Sequence, residues 1–199
     1  MHWKDARTQT GAILILVGVA ALVVALTGYL QAPVWQSIHA EEIVEASVPS
    51  GSFEHPAPGS PLARLRIPKM HLDVAVIEGT RPKDLLKAPG HLEGSALPGE
   101  SENCILAGHR DLHFRRLAEL RPGDLVELES NGRVFSYHVE SFRVISPSQR
   151  RVLEPGNEPI LTLITCYPFR FVGPAPKRYV VVARLDTAPV PVSQRKPSE

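Results

Sequence analysis

The spacing of apolar positions changes along the chain, and each change predicts a different kind of element. Residues 11–30, GAILILVGVAALVVALTGYL, are uncharged and apolar on every side. Twenty residues at a helical rise of ~1.5 Å reach ~30 Å, about one hydrocarbon thickness, which predicts a single membrane-spanning helix. Lys4 and Arg7 precede the run, no Lys or Arg follows until Arg64, and Glu41, Glu42 and Glu45 come soon after it. That asymmetry predicts residues 1–10 in the cytoplasm and the rest of the chain outside, with Tyr29 and Trp35 suited to the outer interface. The competing reading is a cleaved signal peptide, whose apolar core would run ~7–15 residues before a small-x-small site. Here the run is longer, and Pro33 follows the one candidate site near Gln31-Ala32. Under both readings the remainder works outside the membrane.

Residues 31–61 carry no sustained apolar pattern. A short helix is compatible with 33–47, but Pro49, Pro56, Pro58 and Pro61, with Gly and Ser between them, cannot bury a core. This stretch predicts a spacer that holds the following domain off the membrane.

From 62 to 187 the period becomes two. Ala63, Leu65 and Ile67 alternate with Arg64 and Arg66, and Phe135, Tyr137 and Val139 alternate with Ser136, His138 and Glu140. Asn131-Gly132 between two such runs is a type I′ hairpin signal. Further short runs at 72–77, 103–107, 125–129, 142–145, 160–166 and 178–185 bring the total to about eight strands. Short helices are predicted near Pro82–Lys87, where proline suits a first turn, and near Phe114–Leu120. The expected fold class is therefore all-β, a barrel or sandwich, and a closed barrel would leave no exposed edges. Residues 188–199 are expected to form a tail without structure.

Composition narrows the function. A formal net charge of +1 offers nothing to a nucleic acid or to an acidic surface. Two cysteines, Cys104 and Cys166, are too few for a disulfide scaffold, so a hydrophobic core must hold the domain. The pair could form one disulfide, fill the core, or comprise a nucleophile and a bystander.

Three segments carry candidate chemistry: AGHRD (107–111) and TLITCYPF (162–169), each at the end of an apolar strand, and PKRYVVVARL (176–185), opening the last strand. Residues 167–177 hold Pro168, Gly173, Pro174 and Pro176 and therefore form a loop. If the strands flanking that loop are antiparallel neighbours, Cys166 lies near Arg178. A guanidinium beside a thiol favours the thiolate and can hold an oxyanion when the sulfur attacks a carbonyl. A histidine in reach would exchange protons with the thiol and the leaving amine, and His109 is the best placed because it too ends a strand. His109 and His113 at i, i+4 could also be two metal ligands, but no third is evident. Arg110 and Asp111 are expected to hold the local turn. With His109 against Cys166 and residues 104–109 extended, Cys104 would sit ~16 Å back along its strand, beyond disulfide reach.

TLITC, AGHRD upstream and KR downstream resemble the sortases, and CYPFRFVGPAPKRYVV resembles their class D branch. The likeness covers nearly all of 62–187 and extends to the anchor and spacer. It implies a closed sortase barrel and a membrane-anchored, extracytoplasmic cysteine transpeptidase. It places the acyl-forming nucleophile on Cys166, the acid/base on His109 and the arginine on Arg178. Thr165 matches the threonine before the nucleophile, with an expected role toward substrate or oxyanion. Leu112 departs from the class, which carries a small hydroxyl residue after GHRD. The implied reaction is cleavage of an LPxTG- or LPxTA-like sorting signal on a secreted protein through a thioester. Transfer then follows to an amine of a peptidoglycan precursor or a protein lysine, with no metal or organic cofactor. The alternatives are a cysteine peptidase that only hydrolyses, and a tethered β-barrel binding module whose cysteine does nothing.

Overall fold

The computed structural model describes residues 12–27, 56–154, 156–186 and 189–194. Residues 12–27 form helix α1, exposed along its length. Among the described residues no helix is long and apolar enough to cross a membrane. Both ends of the expected anchor, the cytoplasmic end and most of the expected spacer lie outside the described residues.

Alternating side chains become a ring of strands. In chain order these are β1 (Pro61–Ile67), β2 (Leu72–Glu78), β3 (Gly90–His91), β4 (Asn103–Ala107), β5 (Leu125–Ser130), β6 (Arg133–Ile145), β7 (Ile160–Tyr167), β8 (Lys177–Leu185) and β9 (Val190–Pro191). Their spatial order is β5-β1-β2-β3-β4-β7-β8-β6, and β5 also pairs with β6, so eight strands close into a barrel. The pairs β2–β3 and β4–β7 are parallel, and the other pairs of the ring are antiparallel. The β5–β6 turn places Asn131 at φ 49° and Gly132 at φ 69°. Both are left-handed, as a type I′ turn requires.

One row of side chains from each strand fills the barrel: Ala63, Leu65 and Ile67 from β1, Cys104 and Leu106 from β4, Leu161 and Leu163 from β7, Val181 and Ala183 from β8. Burying each large aliphatic side chain is worth ~1.5–3 kcal/mol, and these rows are the main stabilising term.

Four details differ from the sequence reading. The runs at 133–140 and 142–145 are one strand, β6, which continues through an irregularity between Val139 and Ser141. Such a bulge adds a residue and bends the strand without ending it. Strand β3 has two residues, too few for an alternation to register. In the tail expected to be unstructured, β9 pairs Val190 with Val134 and Pro191 with Arg133. The helix expected over Phe114–Leu120 is a 3-10 turn at Leu117–Glu119. Phe114, Leu117 and Leu120 are all buried, and side chains three apart stack on one side of a 3-10 turn. The predicted helix at Pro82 is α2 (Pro82–Leu85).

Candidate active site

Strand β7 buries Leu161 and Leu163 in the barrel, so Thr162, Ile164 and Cys166 stand on its outer face. On β8 the inward row is Tyr179, Val181 and Ala183, which leaves Arg178 on the same outer face as Cys166. The two are direct antiparallel partners. Cβ atoms at such positions lie ~5 Å apart.

The histidine arrives from the other side. Strand β4 runs parallel to β7 in a register that ends at Ala107 opposite Ile164. The Gly108 N–H donates to the Ile164 carbonyl at 3.1 Å and extends the pairing by one residue. His109 follows, level along the strand with Cys166, on a neighbour ~4.8 Å away. Histidine, cysteine and arginine therefore form a row across three adjacent strand ends, and all three are half-buried.

Local chemistry shapes each member. The chain turns sharply after His109, whose carbonyl accepts from the Phe114 N–H at 3.1 Å. The Phe114 ring then returns over Gly108, where a Cβ would lie 2.6 Å from a ring carbon. Only glycine fits before this histidine. The Arg178 guanidinium donates to the carbonyls of Ala175 (3.2 Å) and Lys177 (2.9 Å), which tethers it to its own loop. Thr165, expected to face substrate, is buried, and its hydroxyl donates to the Gly108 carbonyl at 2.6 Å. Its place beside Cys166 follows from β7, but alternation turns it inward, where it clasps the loop that carries His109.

Arg110 does not hold its own turn. Its guanidinium spans to the loop after Cys166, donating to the carbonyls of Pro168 (2.8 Å), Phe171 (2.8 Å) and Gly173 (3.3 Å). It also stands 5.8 Å from the Phe171 ring centroid. Tyr167, Phe169, Tyr179 and Phe142 pack in a chain with centroids 5.3–6.1 Å apart, lining the start of the same loop. No sequence signal linked Arg110 to this loop, because the contact exists only through the parallel β4–β7 pairing.

Both cysteines are free. Cys104 is in the core, and burial pushes its thiol far above the ordinary range, as befits an inert side chain. Burial likewise lowers the pKa of His113, whose Nε2 has no hydrogen-bond partner. A second constellation resembles a catalytic triad. Glu78 Oε2 lies 2.7 Å from His91 Nδ1, and Ser95 Oγ lies 2.9 Å from His91 Nε2. However, Nε2 also lies 2.9 Å from the Ala96 carbonyl, and the Ser95 hydroxyl donates to Leu92 O. The serine proton is thus committed to Leu92 O, and Nε2 is shared with the Ala96 carbonyl. The group is a buried polar tie between β2, β3 and the 92–96 turn.

A cysteine flanked on neighbouring strand ends by a histidine and an arginine carries the residue types that acyl transfer uses: a nucleophile, a proton carrier and a cation for an oxyanion. Comparisons with known proteins point the same way. A family model described as the sortase domain matches residues 65–186. Sortase D of Bacillus subtilis is 36% identical over 133 residues, covering 66% of this chain and 67% of that protein. The structure of a Clostridium perfringens sortase D5 transpeptidase superposes with a TM-score of 0.68 at 28% identity, covering 78% of this chain and 98% of that one. Sortase E1 of Streptomyces coelicolor, solved with a tripeptide in its active site, gives a TM-score of 0.61 at 33% identity, covering 71% and 96%.

Proposed function

The chain belongs to the sortase family, on its class D-like side, and from that premise we propose that it cleaves an LPxT-type sorting signal through a thioester on Cys166 and passes the acyl group to an amine. The observation that carries this reading is the row of His109, Cys166 and Arg178 at adjacent strand ends. Cys166 attacks the carbonyl carbon of the signal's threonine, and the C–N bond of the next peptide link breaks. His109 takes the thiol proton and returns it to the leaving amine. Arg178, the cross-strand partner of Cys166, steadies the oxyanion of the tetrahedral intermediate. An incoming amine, from a peptidoglycan precursor or a protein lysine, then attacks the thioester, gives its proton to His109 and frees the thiolate. No step calls for a metal or an organic cofactor.

The layout suits this work. We place residues 11–30 as a membrane anchor, with 1–10 inside, 31–61 as spacer and 62–187 as the catalytic domain outside. The exposed apolar helix α1 falls within the anchor segment.

The test is incubation of the full chain with LPxTG and LPxTA peptides, with and without an added amine, and weighing of the products. The expected result is amide formation with the added amine and a trapped thioester on Cys166, both lost in Cys166→Ala. Hydrolysed product alone would mark a peptidase. Full turnover in Cys166→Ala would end the reading.

A further inference from the structure

The β7–β8 loop, residues 168–176, lies directly after the nucleophile's strand and has little to hold it. Among the described residues, no turn or loop hydrogen bond between backbone groups involves it. Its tip is exposed, with Val172 99% and Phe171 44% accessible. Arg178 holds Ala175 at its far end and Phe169 packs at its start, and a side chain from the loop of His109 fastens the stretch between. Arg110 sits one residue after His109, and its guanidinium takes three carbonyls of this loop, at Pro168, Phe171 and Gly173, with the Phe171 ring beside it.

We infer that Arg110 is a positioning residue for the reaction: it bolts the loop bearing His109 to the loop that leaves Cys166, and so sets the imidazole against the sulfur. This rests on the reading of Cys166 and His109 as the reacting pair. The geometry suits arginine alone. A planar fork with five donors reaches several carbonyls at once, whereas a lysine ammonium on a single stem satisfies fewer and stacks poorly on an aromatic ring. Charge-assisted bonds of this kind are stronger than neutral ones, and a misplacement of about 1 Å between reacting groups can cost about 100-fold in rate. The bolt joins residues 58 to 63 positions apart in the chain.

The experiment compares the parent, Arg110→Met, Arg110→Lys and Cys166→Ala as full chains. Steady-state cleavage of an LPxTG or LPxTA peptide gives kcat and KM separately. Limited trypsinolysis gives the rate of cutting after Arg170, an exposed site in the bolted loop. Arg110→Met is expected to lower kcat by about tenfold to 100-fold with KM changed far less, and to speed cutting after Arg170. Arg110→Lys is expected to fall between it and the parent on both readouts. A kcat within about twofold of the parent in Arg110→Met would overturn the inference. If that variant does not fold, a parent-like kcat in Arg110→Lys overturns it equally. The two readings fail separately. Turnover surviving in Cys166→Ala sinks the catalytic assignment, whereas the tryptic rate tests the hold of Arg110 on the loop whatever Cys166 does.

Discussion

Replacing Thr165 with valine keeps the branching of the side chain and deletes one proton donor. The Thr165 side chain is 3% exposed, and its hydroxyl meets the Gly108 carbonyl at 2.6 Å, immediately before His109. Valine would leave that carbonyl without this donor in a buried position. A buried acceptor stripped of its partner costs ~1–3 kcal/mol, and the added methyl returns at most ~0.8 kcal/mol. The net loss with the full offset is ~0.2–2 kcal/mol, which for a chain of this size lowers Tm by up to ~8 °C. Thr165→Ser provides the contrast. It keeps the donor and removes one buried methyl, a loss of ~1 kcal/mol of similar size but different kind. Stability alone would barely separate the two variants. Turnover should, because only valine frees the loop that carries the imidazole. The assay pairs a thermal melt with steady-state cleavage of the sorting peptide, both at pH 7. The expected pattern is comparable melting temperatures, near-parent kcat for Thr165→Ser and clearly reduced kcat for Thr165→Val. Equal kcat in the two variants would refute the clasp.

Three further outcomes are expected. A thiol reagent should modify Cys166 in the native protein and Cys104 only after unfolding, since one is half-buried and the other is in the core; equal native rates would contradict the assignment of roles. Glu78→Ala should lower stability by ~1–3 kcal/mol in urea titration by removing the buried carboxylate that faces His91 Nδ1, while native labelling of Cys166 in dilute buffer stays at the parent rate. A parent-like midpoint would show that the tie contributes nothing. The pKa of His113 is lowered by burial from 6.5, so the unfolded chain binds this proton more readily than the folded one. The stability it contributes is present above pH 6.5 and is lost as pH falls through and below that value. Melting temperature against pH should therefore be flatter in His113→Gln, and an unchanged slope would reject the role.

What the sequence determined by itself is local. Alternation marked which faces of 63–67 and 133–139 turn inward, because a strand's side chains have a period of two whatever it pairs with. Asn131-Gly132 announced its turn because few residues accept φ > 0. The motifs at 107–111 and 162–166 announced their chemistry through residue type and position at strand ends. The tertiary structure decided which ends meet. His109 and Cys166 lie 57 residues apart and come level only through the parallel register of β4 on β7, which no local pattern encodes. The same pairing sent Arg110 across to the 168–173 carbonyls, and the inward face of β7 put the Thr165 hydroxyl on Gly108. Phe114, Leu117 and Leu120 share one buried side at a spacing of three, which the 3-10 turn at Leu117–Glu119 suits and an α-helix does not. Propensity and periodicity act over a few residues, whereas register and side-chain partnership depend on all strands of the closed barrel at once.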